Sequence, residues 1–165
     1  MSIIHFKGME VHTNGELPKI GVSAPTFSLI KNDLSTLALS DLKGKKVILN
    51  IFPSIDTGVC AASVRRFNKE AASLTNVVVL CISKDLPFAQ ARFCGAEGIE
   101  NVITGSDFRT QTFAEQYGIL QLDGILAGLL ARAVVVIDEN GIVKYTQLVD
   151  EITTEPDYAA VLEVL

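Results

Sequence analysis

Cysteine is scarce in this sequence. The chain has three cysteines in 165 residues, an odd number that is too sparse for a scaffold held together by disulfides. Scaffolds of that kind carry many paired cysteines and belong to oxidising compartments, whereas free thiols persist in reducing ones. We therefore expect a cytoplasmic protein whose cysteines are functional thiols or pack in the core.

Ligands for metals and cofactors are also few. The only histidines are His5 and His12, no two cysteines are separated by two residues, and the glycines form no phosphate-binding loop. Zinc sites, haem attachment sites and iron–sulfur clusters need cysteine or histidine ligands at regular spacing. We expect no metal ion and no bound cofactor.

Concentrated positive charge and long apolar runs are missing as well. Lysine and arginine number 14 against 19 aspartates and glutamates, which gives a formal net charge of -5. A nucleic-acid-binding surface normally needs a basic patch. The longest nearly apolar segment, residues 125–137, is interrupted by Arg132, and residues 1–15 have no basic stretch leading into an apolar run. We expect no nucleic-acid partner, no membrane span and no secretory signal.

Apolar residues, in contrast, are plentiful: they make up 48% of the chain, which is ample for the core of one domain over residues 1–165. Continuous apolar runs at residues 45–52 and 76–83 are typical of strands buried on both faces. The segment between them has apolar side chains at helical spacing: Cys60, Val64, Phe67, Ala71 and Leu74. The pattern predicts a strand, helix, strand unit.

The segments before and after this unit predict further strands and helices. Before residue 50, short alternating stretches are separated by turn residues, Asn14-Gly15 and Asn32-Asp33, which indicates hairpins, with residues 1–16 as an N-terminal hairpin extension. Further along, we expect a helix over residues 86–94 that Gly95 and Gly98 end, a helix closed by Gly118, a hairpin at DENG, and a last helix with Pro156 in its first turn. The sum is an α/β fold with a mixed sheet flanked by helices.

Cys60 is the strongest candidate for chemistry. It stands where a strand ends and a helix begins, beside unpaired backbone N–H groups and the positive end of the helix dipole, which favour a thiolate. Thr57 offers a hydroxyl to that thiolate or to an incoming oxygen, and Pro53 stiffens the loop. Free cysteines are also common core residues, so position alone leaves open a purely packing role for Cys60.

The spacing of Pro53, Thr57 and Cys60 is more specific. PSIDTGVC matches the P-x-x-x-T-x-x-C motif of peroxiredoxins, and NIFPSIDTGVCAASVRRFN resembles their thiol peroxidase subfamily. Similar stretches follow along nearly the whole chain: NVVVLCIS, DLPFAQARFCGAEG, AGLLARAVVVIDENG and QLVDEITTEPDY. The resemblance implies a thioredoxin-like fold and a thiol-specific peroxidase that reduces hydrogen peroxide and organic hydroperoxides in antioxidant defence and redox homeostasis.

The resemblance also implies roles for individual residues. Cys60 corresponds to the peroxidatic cysteine, Thr57 to the residue that hydrogen-bonds peroxide and sulfur, Pro53 to the residue that shields the pocket, and Arg132 to the arginine that steadies the thiolate. A guanidinium that precedes an apolar strand needs an anionic partner, which agrees with this role. Without the resemblance, a surface arginine at a strand edge is the simpler interpretation of Arg132.

A sulfenic acid on Cys60 would need a second thiol before more peroxide oxidises it further. Cys81 lies in the middle of a buried strand, where we expect packing only, whereas Cys94 ends a short helix before Gly95, where fraying is easy. The resemblance implies Cys94 as the resolving cysteine, an intrasubunit Cys60–Cys94 disulfide, thioredoxin as reductant, and a homodimer. Because a disulfide needs Cα atoms within about 7 Å, we expect both segments to unfold locally when it forms.

Two other functions compete with this one. Cys60 to Ser63 form a C-x-x-S, as in monothiol thioredoxin and glutaredoxin relatives, but those proteins place a proline before the strand that faces the cysteine, where this chain has Arg132. A binding or chaperone module without redox activity is the second alternative, supported by the apolar stretch GILAGLL at residues 124–130. That stretch would equally line a pocket for bulky alkyl hydroperoxides or form part of a dimer interface.

Overall fold

The computed structural model describes residues 1–165 and contains nine strands, four α-helices and one 3₁₀ turn at Leu39–Leu42. The strands are β1 Ile3–Phe6, β2 Met9–His12, β3 Ser28–Ile30, β4 Thr36–Ala38, β5 Lys46–Ile51, β6 Val77–Ser83, β7 Ile103–Ser106, β8 Ala133–Ile137 and β9 Val143–Leu148. The helices are α1 Gly58–Ala71, α2 Pro87–Glu97, α3 Thr112–Tyr117 and α4 Tyr158–Glu163.

Seven of the strands form one mixed sheet in the order β4-β3-β7-β6-β5-β8-β9. The central strands β5, β6 and β7 run parallel. Strands β8 and β3 pair antiparallel with β5 and β7, and the edge strands β9 and β4 pair antiparallel with β8 and β3. Side chains of β5 alternate between two hydrophobic clusters, Val47 and Leu49 on one face and Ile48 on the other. Because a strand has a period of two, burial on both faces requires the continuous apolar run seen in the sequence. The predicted α/β sheet is confirmed.

The boundaries of three elements differ from the sequence predictions. Helix α2 continues past Cys94 and through Gly95 to Glu97, and only Gly98, with φ 67°, ends it. A glycine inside a helix costs about 1 kcal/mol relative to alanine, which is less than the packing of the whole helix contributes. Pro156 precedes α4 instead of lying in its first turn, and α1 ends before Leu74.

The first two strands form a separate hairpin that the sheet does not include. Its turn is at Lys7 and Gly8, both with positive φ. This conformation is the tight turn whose twist matches the twist of the paired strands. The hairpin is fastened to the loop after β9: the His5 N–H donates to the Asp150 carbonyl at 2.6 Å, and the Ile152 N–H donates to the His5 carbonyl at 2.9 Å.

The Glu151 carboxylate strengthens this junction. It accepts the backbone N–H groups of Gly8 at 2.9 Å, Lys7 at 3.3 Å and Thr153 at 3.0 Å. These bonds favour the ionised carboxylate and lower the pKa of Glu151 to about 2, the N–H of Thr153 being the largest cause. The hairpin and the loop at residues 150–153 therefore form one hydrogen-bonded unit.

The backbone of Glu16, just after the hairpin, packs closely against Gly118. Gly118 ends α3 with φ 66°, and a Cβ atom there would lie 2.4 Å from the backbone N and O atoms of Glu16. Gly98 ends α2 with nearly the same φ, 67°, but has open space around the corresponding Cβ position. The two glycines thus share the conformational requirement and differ only in the clash.

Replacing Gly98 by alanine is expected to lower the free energy of unfolding by about 1–2 kcal/mol, the cost of a left-handed non-glycine residue. Gly118→Ala is expected to cost a further 1–3 kcal/mol or so, because backbone atoms cannot give way as a flexible side chain can. Urea denaturation of both variants measures the difference. Equal losses would show that the approach of Glu16 imposes no constraint.

Candidate active site

Cys60 is the third residue of α1 and is completely buried. Its side chain packs in the hydrophobic cluster on the α1 side of the sheet, which also contains Val64 and Phe67. The helix begins just after Thr57 because Thr57 has an extended backbone, with φ -98° and ψ 149°. The N–H groups of a first helical turn have no partners within the helix, so the sulfur lies in a field that favours negative charge.

Arg132 contacts this sulfur from a distant part of the sequence. It directly precedes β8, and only 2% of it is exposed, so the alternative of a surface arginine is wrong. Its Nη2 donates to Cys60 Sγ at 3.3 Å, and its Nε donates to the Ile152 carbonyl at 2.9 Å. Its Nη1 is buried without a hydrogen-bond partner.

No carboxylate lies within salt-bridge distance of the Arg132 guanidinium. A buried charge without an opposite charge is costly. Cys60 Sγ is the one ionisable atom that accepts a hydrogen bond from Arg132, and a negative charge on that sulfur would offset the cost. The free Nη1 adds a donor for an oxygen atom brought next to the sulfur.

Pro53 and Thr57 line the same cavity as Arg132. Pro53 is buried, whereas Thr57 is exposed and its hydroxyl donates to the Ser54 carbonyl at 3.1 Å. Thr57 makes no hydrogen bond to the sulfur. Its oxygen keeps lone pairs free to accept the O–H of a molecule in the cavity.

The cavity itself has a volume of about 300 Å³ and is walled mainly by apolar side chains: Phe6, Val59, Leu126, Leu129 and Ile152. Both leucines come from the GILAGLL stretch, so part of that stretch lines a pocket. Ile125 of the same stretch does not line it and is 78% exposed. Sequence reasoning missed Phe6 and Ile152. Nothing in their local pattern marks them, because the hairpin and the loop at residues 150–153 reach the site only through the fold.

The other two cysteines occupy different environments. Cys81, on β6, is completely buried, and burial raises its pKa to about 12, so it stays a protonated core thiol. Cys94 lies in the last turn of α2, is half-buried, and packs against the cluster that contains Cys60. Partial burial raises the pKa of Cys94 as well. All three cysteines are free thiols.

The Cys60 and Ser63 pair does not form a C-x-x-S redox unit facing the cavity. The Ser63 hydroxyl is fully buried, donates to the Cys60 carbonyl at 2.7 Å and accepts Asn50 Nδ2 at 3.2 Å. Its hydrogen bonds therefore stabilise the helix and the sheet.

No group of three or more histidine, cysteine, aspartate or glutamate side chains is arranged to hold a metal ion. None of the helices has the length and apolar composition needed to cross a bilayer.

Comparisons with known proteins agree with this arrangement. The Redoxin family profile matches residues 19–162, which begins just after the hairpin. A thiol peroxidase from Corynebacterium glutamicum is 59% identical over 165 residues, covering 100% of this chain and 99% of the relative. A peroxiredoxin-like protein from Aquifex aeolicus superimposes with a TM-score of 0.93 at 41% identity, covering 98% of this chain and 94% of that one. A thiol peroxidase from Chromobacterium violaceum, 20% identical, shares the fold with a TM-score of 0.90 over the same shares of both chains.

Proposed function

The chain belongs to the Redoxin family and is a thiol peroxidase with a thioredoxin-like fold, and from this premise we propose that Cys60 is its peroxide-reactive thiol and that Cys94 resolves the oxidised product. The observation that carries the first part is the buried Arg132, whose Nη2 contacts Cys60 Sγ and which has no carboxylate partner. Such a guanidinium favours the thiolate, the nucleophilic form of cysteine.

In the proposed first step, the Cys60 thiolate attacks the terminal oxygen of a hydroperoxide. The O–O bond breaks, the sulfur keeps the OH group as a sulfenic acid, and the leaving alkoxide or hydroxide takes a proton to become an alcohol or water. The unpartnered Nη1 of Arg132 is available to stabilise charge on the reacting oxygens. Thr57, on the same cavity, is available to accept the hydroperoxide O–H.

In the proposed second step, the Cys94 thiolate attacks the Cys60 sulfur. An S–S bond forms, and the OH group leaves as hydroxide and takes a proton to become water. Burial raises the pKa of Cys94, so the folded arrangement disfavours the attacking thiolate. Local unfolding of α2 and of the first turn of α1 would expose Cys94 to water and let the two cysteines approach.

The apolar walls of the cavity support organic hydroperoxides as substrates beside hydrogen peroxide. Side chains such as Phe6, Leu126 and Leu129 would contact an alkyl group while Arg132 and Thr57 contact the two oxygens. We further propose that thioredoxin supplies the two electrons that reduce the Cys60–Cys94 disulfide, that the protein works as a homodimer, and that it acts in the cytoplasm. These three points follow from the resemblance in sequence to thiol peroxidases.

The test is to mix the reduced protein with a slight excess of cumene hydroperoxide, count the remaining thiols, and identify linked peptides by mass. We expect two thiols per chain to disappear and a Cys60–Cys94 peptide to form, while Cys81 remains free. Oxidation of Cys60 alone would overturn Cys94 as the resolving thiol. Three untouched thiols would overturn the peroxidase chemistry and favour the binding module.

A further inference from the structure

Asp85 joins the segment that precedes Cys60 to the segment that carries Cys94. It lies between β6 and α2, and its carboxylate is partly buried. Oδ1 accepts the Ser54 hydroxyl at 2.8 Å, and Oδ2 accepts the Ile55 N–H at 2.7 Å. Both donors belong to the loop between β5 and α1, so a side chain just before α2 holds the loop that leads into the site.

Hydrogen bonds from neighbouring strands fix the position of Asp85 itself. The Ser83 hydroxyl, at the end of β6, donates to Oδ2 at 2.5 Å, and the Ser106 hydroxyl, at the end of β7, donates to the Asp85 carbonyl. The buried Gln90 of α2 donates through Nε2 to both the Ser83 hydroxyl and the Gly105 carbonyl, each at 3.1 Å. Ser83 thus orients the carboxylate directly, while Ser106 fixes the backbone of Asp85 and Gln90 fixes Ser83.

Holding Ser54 also holds Thr57. The Ser54 carbonyl accepts both the backbone N–H of Thr57 at 3.2 Å and its hydroxyl at 3.1 Å. Thr57 directly precedes α1 and lies three positions before Cys60. Release of Ser54 and Ile55 from Asp85 would therefore free the start of α1, the part that unwinds in the local unfolding proposed above.

Two other polar links join the same regions, and both are exposed. Arg92 Nη2 lies 3.4 Å from Asp56 Oδ1, with side chains 71% and 59% exposed. Arg65 and Glu97 form a bidentate pair whose shorter N–O distance is 2.9 Å, with side chains 49% and 36% exposed. Exposed ion pairs contribute little to stability, whereas hydrogen bonds to a partly buried carboxylate contribute more.

We propose that Asp85 is a positioning residue that acts as a latch: its hydrogen bonds to Ser54 and Ile55 hold the loop in the form that reacts with hydroperoxide, and their release permits disulfide formation. This inference rests on the proposed function, because it assigns a role in the exchange between Cys60 and Cys94. It requires removal of the carboxylate to change the two chemical steps in opposite directions. A residue that only stabilised the fold would not do so.

The experiment compares Asp85→Ala, Ser54→Ala and the wild type by stopped-flow kinetics and mass analysis. For Asp85→Ala we expect the Cys60–Cys94 disulfide to form about tenfold faster or more, oxidation of Cys60 to slow severalfold, and more peroxide to be needed to convert Cys60 to the sulfinic acid. Ser54→Ala removes one of the bonds and is expected to change each quantity in the same direction by a smaller factor. Ser54→Ala also tests the proposal if Asp85→Ala does not fold.

Asp56→Ala is the matched control, because it removes a neighbouring carboxylate whose one side-chain partner is the exposed Arg92. We expect both of its rates to stay within twofold of the wild type. Equal rates in the wild type, Asp85→Ala and Ser54→Ala would overturn the latch, as would a fall in both rates together. If the wild type itself forms no Cys60–Cys94 disulfide, the proposed function fails, a result that is distinct from unchanged kinetics in the variants.

Discussion

Replacing Cys60 by serine is expected to reduce hydroperoxide consumption to the uncatalysed rate. A serine hydroxyl cannot form a sulfenic acid, and at neutral pH it supplies no anion beside the buried Arg132. The substitution changes one buried atom in the cluster around α1, so the fold should persist. Peroxide consumption with a dithiol reductant in excess, followed by a colorimetric hydroperoxide assay, measures the loss.

The other cysteines provide the controls for this experiment. Cys81→Ala changes a buried thiol without a role in the proposed cycle and should retain the rate of peroxide reduction. Cys94→Ser should fail to sustain turnover when thioredoxin is the reductant, because Cys60 has no partner to resolve it and excess hydroperoxide oxidises the sulfenic acid on to the sulfinic acid. Continued peroxide consumption by Cys60→Ser would contradict the assignment of Cys60 and place the peroxide-reactive group elsewhere in the chain.

Replacing Arg132 by methionine is expected to lower the second-order rate constant for oxidation of Cys60 by about 10²–10³-fold, the usual effect of losing one oriented donor to developing charge. Methionine fills much of the same buried space without the charge. The variant therefore removes the contact to Cys60 Sγ and the free Nη1 together. Stopped-flow measurement with cumene hydroperoxide gives the rate constant directly.

A stability measurement and a second variant distinguish a loss of reactivity at Cys60 from a loss of folding. Arg132→Met removes a buried charge that has no carboxylate partner but leaves the Ile152 carbonyl without its donor, so we expect urea denaturation to show a loss of no more than about 1–3 kcal/mol. Arg132→Lys keeps the charge but lacks the planar fork that reaches both Ile152 and Cys60, and we expect it to lie between the wild type and methionine. A wild-type rate constant in Arg132→Met would remove Arg132 from the mechanism.

Elements whose signal is local were predictable from the amino-acid order. The apolar runs of β5 and β6, and the helical spacing around Cys60, describe side chains that neighbours along the chain place on one face. The hairpin at DENG, between β8 and β9, follows from the conformational preferences of its own residues. The extent of α2 was mispredicted because packing and the Gly98 cap outweigh the modest cost of Gly95 inside the helix.

The site itself combines residues from distant parts of the chain. Cys60 and Arg132 are 72 positions apart, and Phe6 and Ile152 reach the cavity only because the hairpin pairs with the loop after β9. Asp85 contacts Ser54 because β5 and β6 are neighbouring parallel strands whose ends meet at one edge of the sheet. The motif around Cys60 thus predicts the reactive thiol, whereas the guanidinium beside it, the cavity and the carboxylate proposed as a latch depend on tertiary contacts, which no local pattern specifies.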